Sequence, residues 1–401
     1  NRGGYRFANY YRKWQKAIFA IEQLLRRDPL MIWLIRGFDV CADELGVPNW
    51  VMAPLIQRLT LAGENAAVRL ARTEWKAAAP RLTAHVGEDF RSLMEGLRRV
   101  DETIDSFKLI SGDRLGHAVA LGFSPQRWAA SYPVIRMPRE ERLWDLLWER
   151  SWYQQGATPV SAVRLAHIER EAEEHADTIF RSSNLSMLWK VRQALHQPAR
   201  LTGRLGARFP NGPIPALGSQ SWSGILIRYL TDRGVFLRSF EPVEVSMAGE
   251  VEALVTLQQA MLKKVAGRRL SIEANPSSNQ LIADLGEIEH HPLWRLDPPQ
   301  SSLDGKDNSP RLSVCIGADN PLTFATNLRQ EYEMLYDVLI EKGVGEIEAR
   351  QYLDRVRRNG MDARFTLPSA AGVAGFPWQD LQQSGPTRRR RSIRRRSSPS
   401  A

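Results

Sequence analysis

Short apolar runs that end in polar or glycine-containing turns alternate along this chain with stretches whose apolar positions recur every three to four residues. Residues 8–26 have the helical spacing. The apolar run 30–40, rich in Ile, Leu and Trp, ends at Asp39 and Asp43-Glu44 and reads as a buried parallel strand. Residues 82–85 make a short strand ending in His-Val-Gly-Glu. In 89–107, Phe90, Leu93, Met94, Leu97, Val100, Ile104 and Phe107 share one helical face. Residues 109–117 run as a strand through Asp-Arg-Leu-Gly-His. Farther on, 250–265 is helical and 269–274 is extended into Asn-Pro-Ser-Ser-Asn. Residues 312–316 are extended into Gly-Ala-Asp-Asn-Pro, and 327–342 are helical.

Strands alternating with helices, each strand ending in polar or glycine-rich residues, predict an α/β fold with a parallel sheet. Between His117 and Ile272 lies far more chain than one βα unit needs. Residues 138–152 and 160–181 in that stretch have helical patterns, and 201–223 read as a long Gly-, Pro- and Ser-rich loop. Residues 124–246 are therefore expected to be a mainly helical insertion between two sheet-forming parts, 1–123 and 247–380, with 381–401 as a disordered basic tail.

Composition narrows the class. With 43% hydrophobic and 25% charged residues in 401, the chain is globular, and no run of about 18 apolar residues predicts a membrane span. The net charge of +10 is concentrated at the end, where Arg388–391 and Arg394–396 stand without a single acid. Without those seven arginines the charge falls to +3. Nucleic-acid affinity is therefore expected from the tail only, where a non-specific role is the simpler reading. Cys41 and Cys315 are the only two cysteines. They exclude a disulfide framework and a four-cysteine zinc site, they read as small buried hydrophobes, and they suit a reducing, cytoplasmic setting. The chain begins at Asn1 without a signal-peptide pattern and reads as part of a longer product.

The chemistry-bearing residues gather at predicted carboxyl ends of strands: His85, Glu88, His117, Asp319 and Asn320. In order, the chain carries His-Val-Gly-Glu (85–88), Asp-Arg-Leu-Gly-His (113–117), Glu-Ala-Asn-Pro-Ser-Ser-Asn (273–279), His-Pro (291–292), Ala-Asp-Asn-Pro (318–321) and Glu-Tyr (331–332). This series resembles the adenosine deaminase family of metal-dependent amidohydrolases, as do Asp39-Val-Cys-Ala-Asp-Glu44 and residues 359–365. The resemblance implies a (β/α)8 TIM barrel and zinc-dependent hydrolytic deamination of adenosine or an adenine nucleotide to the inosine form. It implies His85 and Asp319 as metal ligands, Glu88 as proton donor to the purine ring, and His117 as the histidine that steers the metal-bound hydroxide. Asp319 would also accept the water proton. Asp43, Ala42 and Asn320 would meet the base.

Two departures qualify what the resemblance implies. The family's His-x-His zinc pair is not in this chain, and neither are the first barrel strands, so the 401 residues alone are expected to be inactive. Asn320 stands where the family has a second aspartate; a neutral amide can donate to a purine N7 without a pKa shift. Ala42 replaces a glycine that lets the backbone approach the base. The large insertion resembles that of the deaminase component of the bacterial antiviral system RADAR, which implies a homo-oligomer. The alternative function is a catalytically inactive assembly or RNA-binding relative. His167, Glu171 and His175 read as a solvated helix face, His290-His291 as a turn before Pro292, and Trp144, Trp148 and Trp152 as packing.

Overall fold

Seven strands occur among the described residues: β1 (Gly37–Val40), β2 (Arg81–Val86), β3 (Arg114–His117), β4 (Val134–Pro138), β5 (Pro242–Ser246), β6 (Ser271–Ala274) and β7 (Ser313–Ile316). Five of them form one wholly parallel sheet in the order β1-β2-β3-β6-β7, as the alternating pattern predicted. The computed structural model describes residues 6–41, 43–196, 221–302 and 310–366. Ala42, residues 201–220 of the expected loop 201–223, and the expected basic tail lie outside the described residues; 221–223 cap and begin the helix Trp222–Thr231.

Register sorts the two faces of the sheet. Asp39 pairs with Thr83, Thr83 with Arg114, His85 with Gly116, Gly116 with Glu273 and Glu273 with Cys315, so this polar set shares one face. Leu82, Ala84, Leu115, Ile272 and Val314 lie on the other, buried in one core with Leu97, Val100 and Leu257 of the helices Leu93–Ser106 and Val251–Arg268. The apolar face drives the sheet onto its helices, and the polar face remains for chemistry.

Several expected elements are shorter than their apolar runs. Over 30–40 the chain first makes a 3-10 turn, Pro29–Trp33, capped by the Asp28 side chain on Leu30 N–H, and only Gly37–Val40 is extended. An Asp-Pro start favours a helical turn, and Ile32 is buried beside Leu25 and Leu70 without being in a strand. Over 109–117, the left-handed Gly112 (φ 94°) and the Asp113 carboxylate, which accepts from Ile110 and Leu82 N–H, hold a turn ahead of β3. The 89–107 helix starts at Leu93, where the Ser92 hydroxyl accepts from Glu95 N–H. A 22-residue helix, Asn49–Leu70, fills a stretch to which the sequence pattern assigned no element, with Pro54 in its second turn.

The insertion is bracketed by a ribbon that its pattern did not reveal. β4 and β5 pair antiparallel, Val134 opposite Ser246 and Pro138 opposite Pro242. Between them lie helices at Arg139–Gln154, Ala162–Phe180, Leu185–His196, Trp222–Thr231 and Arg233–Ser239, around a core that includes Leu143, Ile168, Leu188 and Ile225. Residues 1–365 nevertheless form one compact unit. Trp148 packs in the main core, with Trp152 against it, and Trp144 packs in the insertion core. The Trp148 indole N–H donates to Asp101 Oδ2 at 2.7 Å. Two expectations are corrected here. Cys41 is exposed, because the chain has already left β1, whereas Cys315 is buried inside β7. The helix Ala162–Phe180 is solvated only along the side of His167; Ile168, Ala172 and His175 are buried, and Glu171 is drawn onto Arg142. No helix among the described residues is long and apolar enough to cross a membrane.

Buried ion pairs fasten the insertion to the sheet. Arg98, on the helix behind the sheet, meets Glu102 (3.2 Å) on its own helix, and Glu141 and Asp145 (2.6 Å) on the first insertion helix. Arg99 pairs with Glu95 and Glu141 and donates to the Glu44 carbonyl. Burial pushes the Glu102 carboxyl up, but the charges of Arg98, His196 and Arg192 outweigh it and hold the group well below its ordinary value. Removing one member of such a cluster strands the others without compensation. Arg98→Met is therefore expected to destabilise the fold by about 3–5 kcal/mol, read from the urea midpoint at unchanged m-value. A loss no larger than that of a surface substitution would contradict the ion-pair account.

Candidate active site

In a parallel sheet every strand delivers its carboxyl end to the same edge, and β/α enzymes build their sites there. His85 stands one residue before the end of β2, His117 ends β3, Asn275 follows β6, and Asp319 follows β7. Two of these residues have left-handed backbones, His117 (φ 64°) and Asp319 (φ 50°), a strain that non-glycine residues rarely accept and that clusters at functional sites. By register His117 continues the apolar face, beside Val86. Its left-handed turn brings the ring instead to His85, with Nε2 3.1 Å from His85 Nδ1 and the two rings edge-to-face. Gly116 makes room for this pairing, because a Cβ there would stand 2.8 Å from the His85 ring.

The turn after β2 is held from outside. Glu44 accepts from the backbone N–H groups of Gly87 (2.6 Å), Glu88 (3.2 Å) and Asp89. Burial raises the Glu44 pKa, and these three donors oppose the rise. Gly87, at φ 75°, permits the turn. Glu88 is thereby aimed inward and buried, its Oε1 3.2 Å from His117 Nδ1 and accepting from Asn279 Nδ2 at 2.6 Å. On the β1 side, Asp39 Oδ2 lies 3.5 Å from His85 Nε2. The hydrogen bond to Asp39 raises the His85 pKa, against the opposing effect of burial, and the charges of Asp39, Asp319 and Glu273 add to the rise. Asp319 Oδ2 accepts from the Ser278 hydroxyl at 2.6 Å. The four residues singled out in sequence thus converge on one sheet edge.

The base-contacting candidates divide. Asn320 Oδ1 caps the short helix Pro321–Phe324 by accepting from Leu322 and Thr323 N–H, and its Nδ2 makes no hydrogen bond among the described residues. Asp43 Oδ1 is engaged by Leu45 and Gly46 N–H in its own turn. Ala42 lies outside the described residues. Cys41 sits nearby, its thiol pKa raised by burial and by the Asp39 and Asp319 charges.

Residues the sequence reading left in the background carry the site's support. Asn279, fully buried, bonds to Glu88, to His117 Nδ1 (2.8 Å) and to the backbone N–H of Asn275 (3.0 Å). His291 does hold the expected turn, its Nδ1 accepting from Leu293 N–H, but its Nε2 also reaches Asn279 Oδ1 at 3.2 Å. Glu331, buried, accepts from Ser277 N–H. The signal for all three was present: each stands in one of the ordered motifs.

Catalytic zinc takes three protein donors and a water. His85 and Asp319 offer two, and among the described residues no three His, Cys, Asp or Glu side chains gather into a cation-holding group. The residues present therefore do not complete a zinc site, and zinc here would require further donors.

Burial drives the His291 pKa down to about 3, so the folded protein keeps this ring neutral while the unfolded chain protonates it near 6.5. The unfolded state then binds more protons below pH 6.5, and stability falls with decreasing pH through the window from about 6.5 to 3, by up to about 1.4 kcal/mol per unit from this group. His291→Gln should flatten that part of a pH series of urea unfolding curves; an unchanged slope would contradict a neutral buried ring. No protein-family model matches the chain, and no curated protein matches it.

Proposed function

We propose that this chain carries the carboxyl-terminal part of a zinc-dependent adenosine deaminase-like catalytic domain. Its reaction is hydrolytic replacement of the C6 amino group of adenosine, or of an adenine nucleotide, with release of ammonia. The five parallel strands are read as part of a (β/α)8 barrel. The observation that carries the reading is the convergence of Glu88 and His117 on Asn279, with His85 and Asp319 at the neighbouring strand ends.

The roles follow from position. Glu88, nearly enclosed and held by the Asn279 amide, is the general acid for the purine ring nitrogen beside the reacting carbon. His117 holds the oxygen nucleophile in line, and Asp319 takes its proton. Asn320 offers its unengaged amide N–H to the purine N7. His85 and Asp319 would be two of the metal's ligands, further donors being required, and a bound zinc would supply hydroxide at neutral pH by lowering the pKa of its water.

In the natural-length protein loaded with zinc, Glu88→Gln should keep the metal and lower turnover of adenosine, AMP or ATP by about 10²- to 10⁴-fold, followed as ammonia release. His85→Ala should lower zinc content and activity together. Metal lost from Glu88→Gln and kept in His85→Ala reverses the assignment. Failure of zinc-bearing protein to release ammonia from any of the three substrates refutes the function.

A further inference from the structure

Around Asn279 every hydrogen-bond partner has a defined direction. The amide is fully buried, and its Oδ1 accepts from the backbone N–H of Asn275, which can only donate. Its other neighbour on that side is His291 Nε2. Because His291 Nδ1 already accepts from the Leu293 N–H, the proton of this neutral ring sits on Nε2 and points at Asn279 Oδ1. Two donors thus face Oδ1, and flipping the amide would set its NH2 against both. The NH2 is left facing Glu88 Oε1 and His117 Nδ1, one hydrogen for each.

We propose that Asn279, locked by Asn275 and His291, is a positioning residue that fixes which ring nitrogen of His117 carries the proton and which oxygen of Glu88 stays free. With Nδ1 accepting from Asn279 at 2.8 Å, and Asn275 Nδ2 also facing it at 3.2 Å, the His117 proton belongs on Nε2. From His291 through Asn279 to His117 the donors all run one way. On Glu88, Oε1 is taken by the Asn279 N–H, so Oε2 is the oxygen left to carry a transferable proton. This inference rests on the proposed deaminase reading for its catalytic meaning, but not for its test.

The test is histidine-selective ¹⁵N labelling of the protein at neutral pH, with two-bond ¹H–¹⁵N correlation spectra reporting the tautomer of each ring. His117 and His291 are both expected as Nε2–H forms. Asn279→Asp places a carboxylate against His117 Nδ1 and should move the proton there. His291→Phe should mix the two His117 tautomers, and His291→Gln, which can still donate to Asn279 Oδ1, should restore the Nε2–H form. A wild-type His117 protonated on Nδ1, or a His117 signal unchanged in both Asn279→Asp and His291→Phe, overturns the proposal. The wild-type spectrum decides even if a variant fails to fold. In the natural-length protein, Asn279→Asp should lower kcat by about 10- to 100-fold, the usual cost of losing an outer hydrogen bond to a functional group, with KM little changed. An Nε2–H His117 in a protein that deaminates nothing would sink the function and keep this inference; turnover with an Nδ1–H His117 would do the reverse.

Discussion

A buried amide with every hydrogen bond committed is the hinge of this structure. Asn279 touches the ends of three strands through its partners: Glu88 beyond β2, His117 at the end of β3, and Asn275 beyond β6. Leaving any one of those buried groups unpaired would cost about 1–3 kcal/mol, so the geometry of the site and the stability of the sheet edge are the same question here. The parallel ladder makes this possible, since it sends the ends of β2, β3 and β6 to one edge. The left-handed backbone at His117 completes the arrangement by turning a ring from the apolar face toward His85.

The insertion is joined to the rest of the molecule by a ribbon and by buried ion pairs. It departs and returns through the β4–β5 ribbon, whose Ile135, Met137 and Val245 lie in the main core. Arg98 and Arg99 join it to the helix Leu93–Ser106 from behind. Arg99 also donates to the Glu44 carbonyl, while the Glu44 side chain grips the turn that carries Glu88. The insertion is thereby in hydrogen-bonded continuity with the turn that carries Glu88, through Glu141, Arg99 and Glu44.

The alternation of apolar runs and polar turns made the parallel sheet legible, and the order of motifs brought His85, Glu88, His117 and Asp319 forward. What escaped was conformation inside apolar runs. Residues 30–40 and 109–117 carry strand-like apolar runs into polar ends, yet Asp28 and Asp113 bend them with local side-chain bonds. The helix Asn49–Leu70 went unassigned, and the β4–β5 ribbon is largely exposed, with little apolar pattern to stand out. At the site, His291 looked like a turn residue because it is one; its second bond, to Asn279, depends on a tertiary contact that no spacing reveals. Glu44 was likewise visible only as the end of an acidic motif.

The central claim is that these residues serve hydrolytic deamination at a purine C6. The most direct measurement is a single reaction of the natural-length zinc protein with adenosine in ¹⁸O-water, with the product analysed by mass spectrometry and the ammonia counted. The account predicts one ¹⁸O at the C6 oxygen of inosine and one ammonia per nucleoside consumed. Label appearing on the sugar, or nucleoside consumed without ammonia, would contradict it.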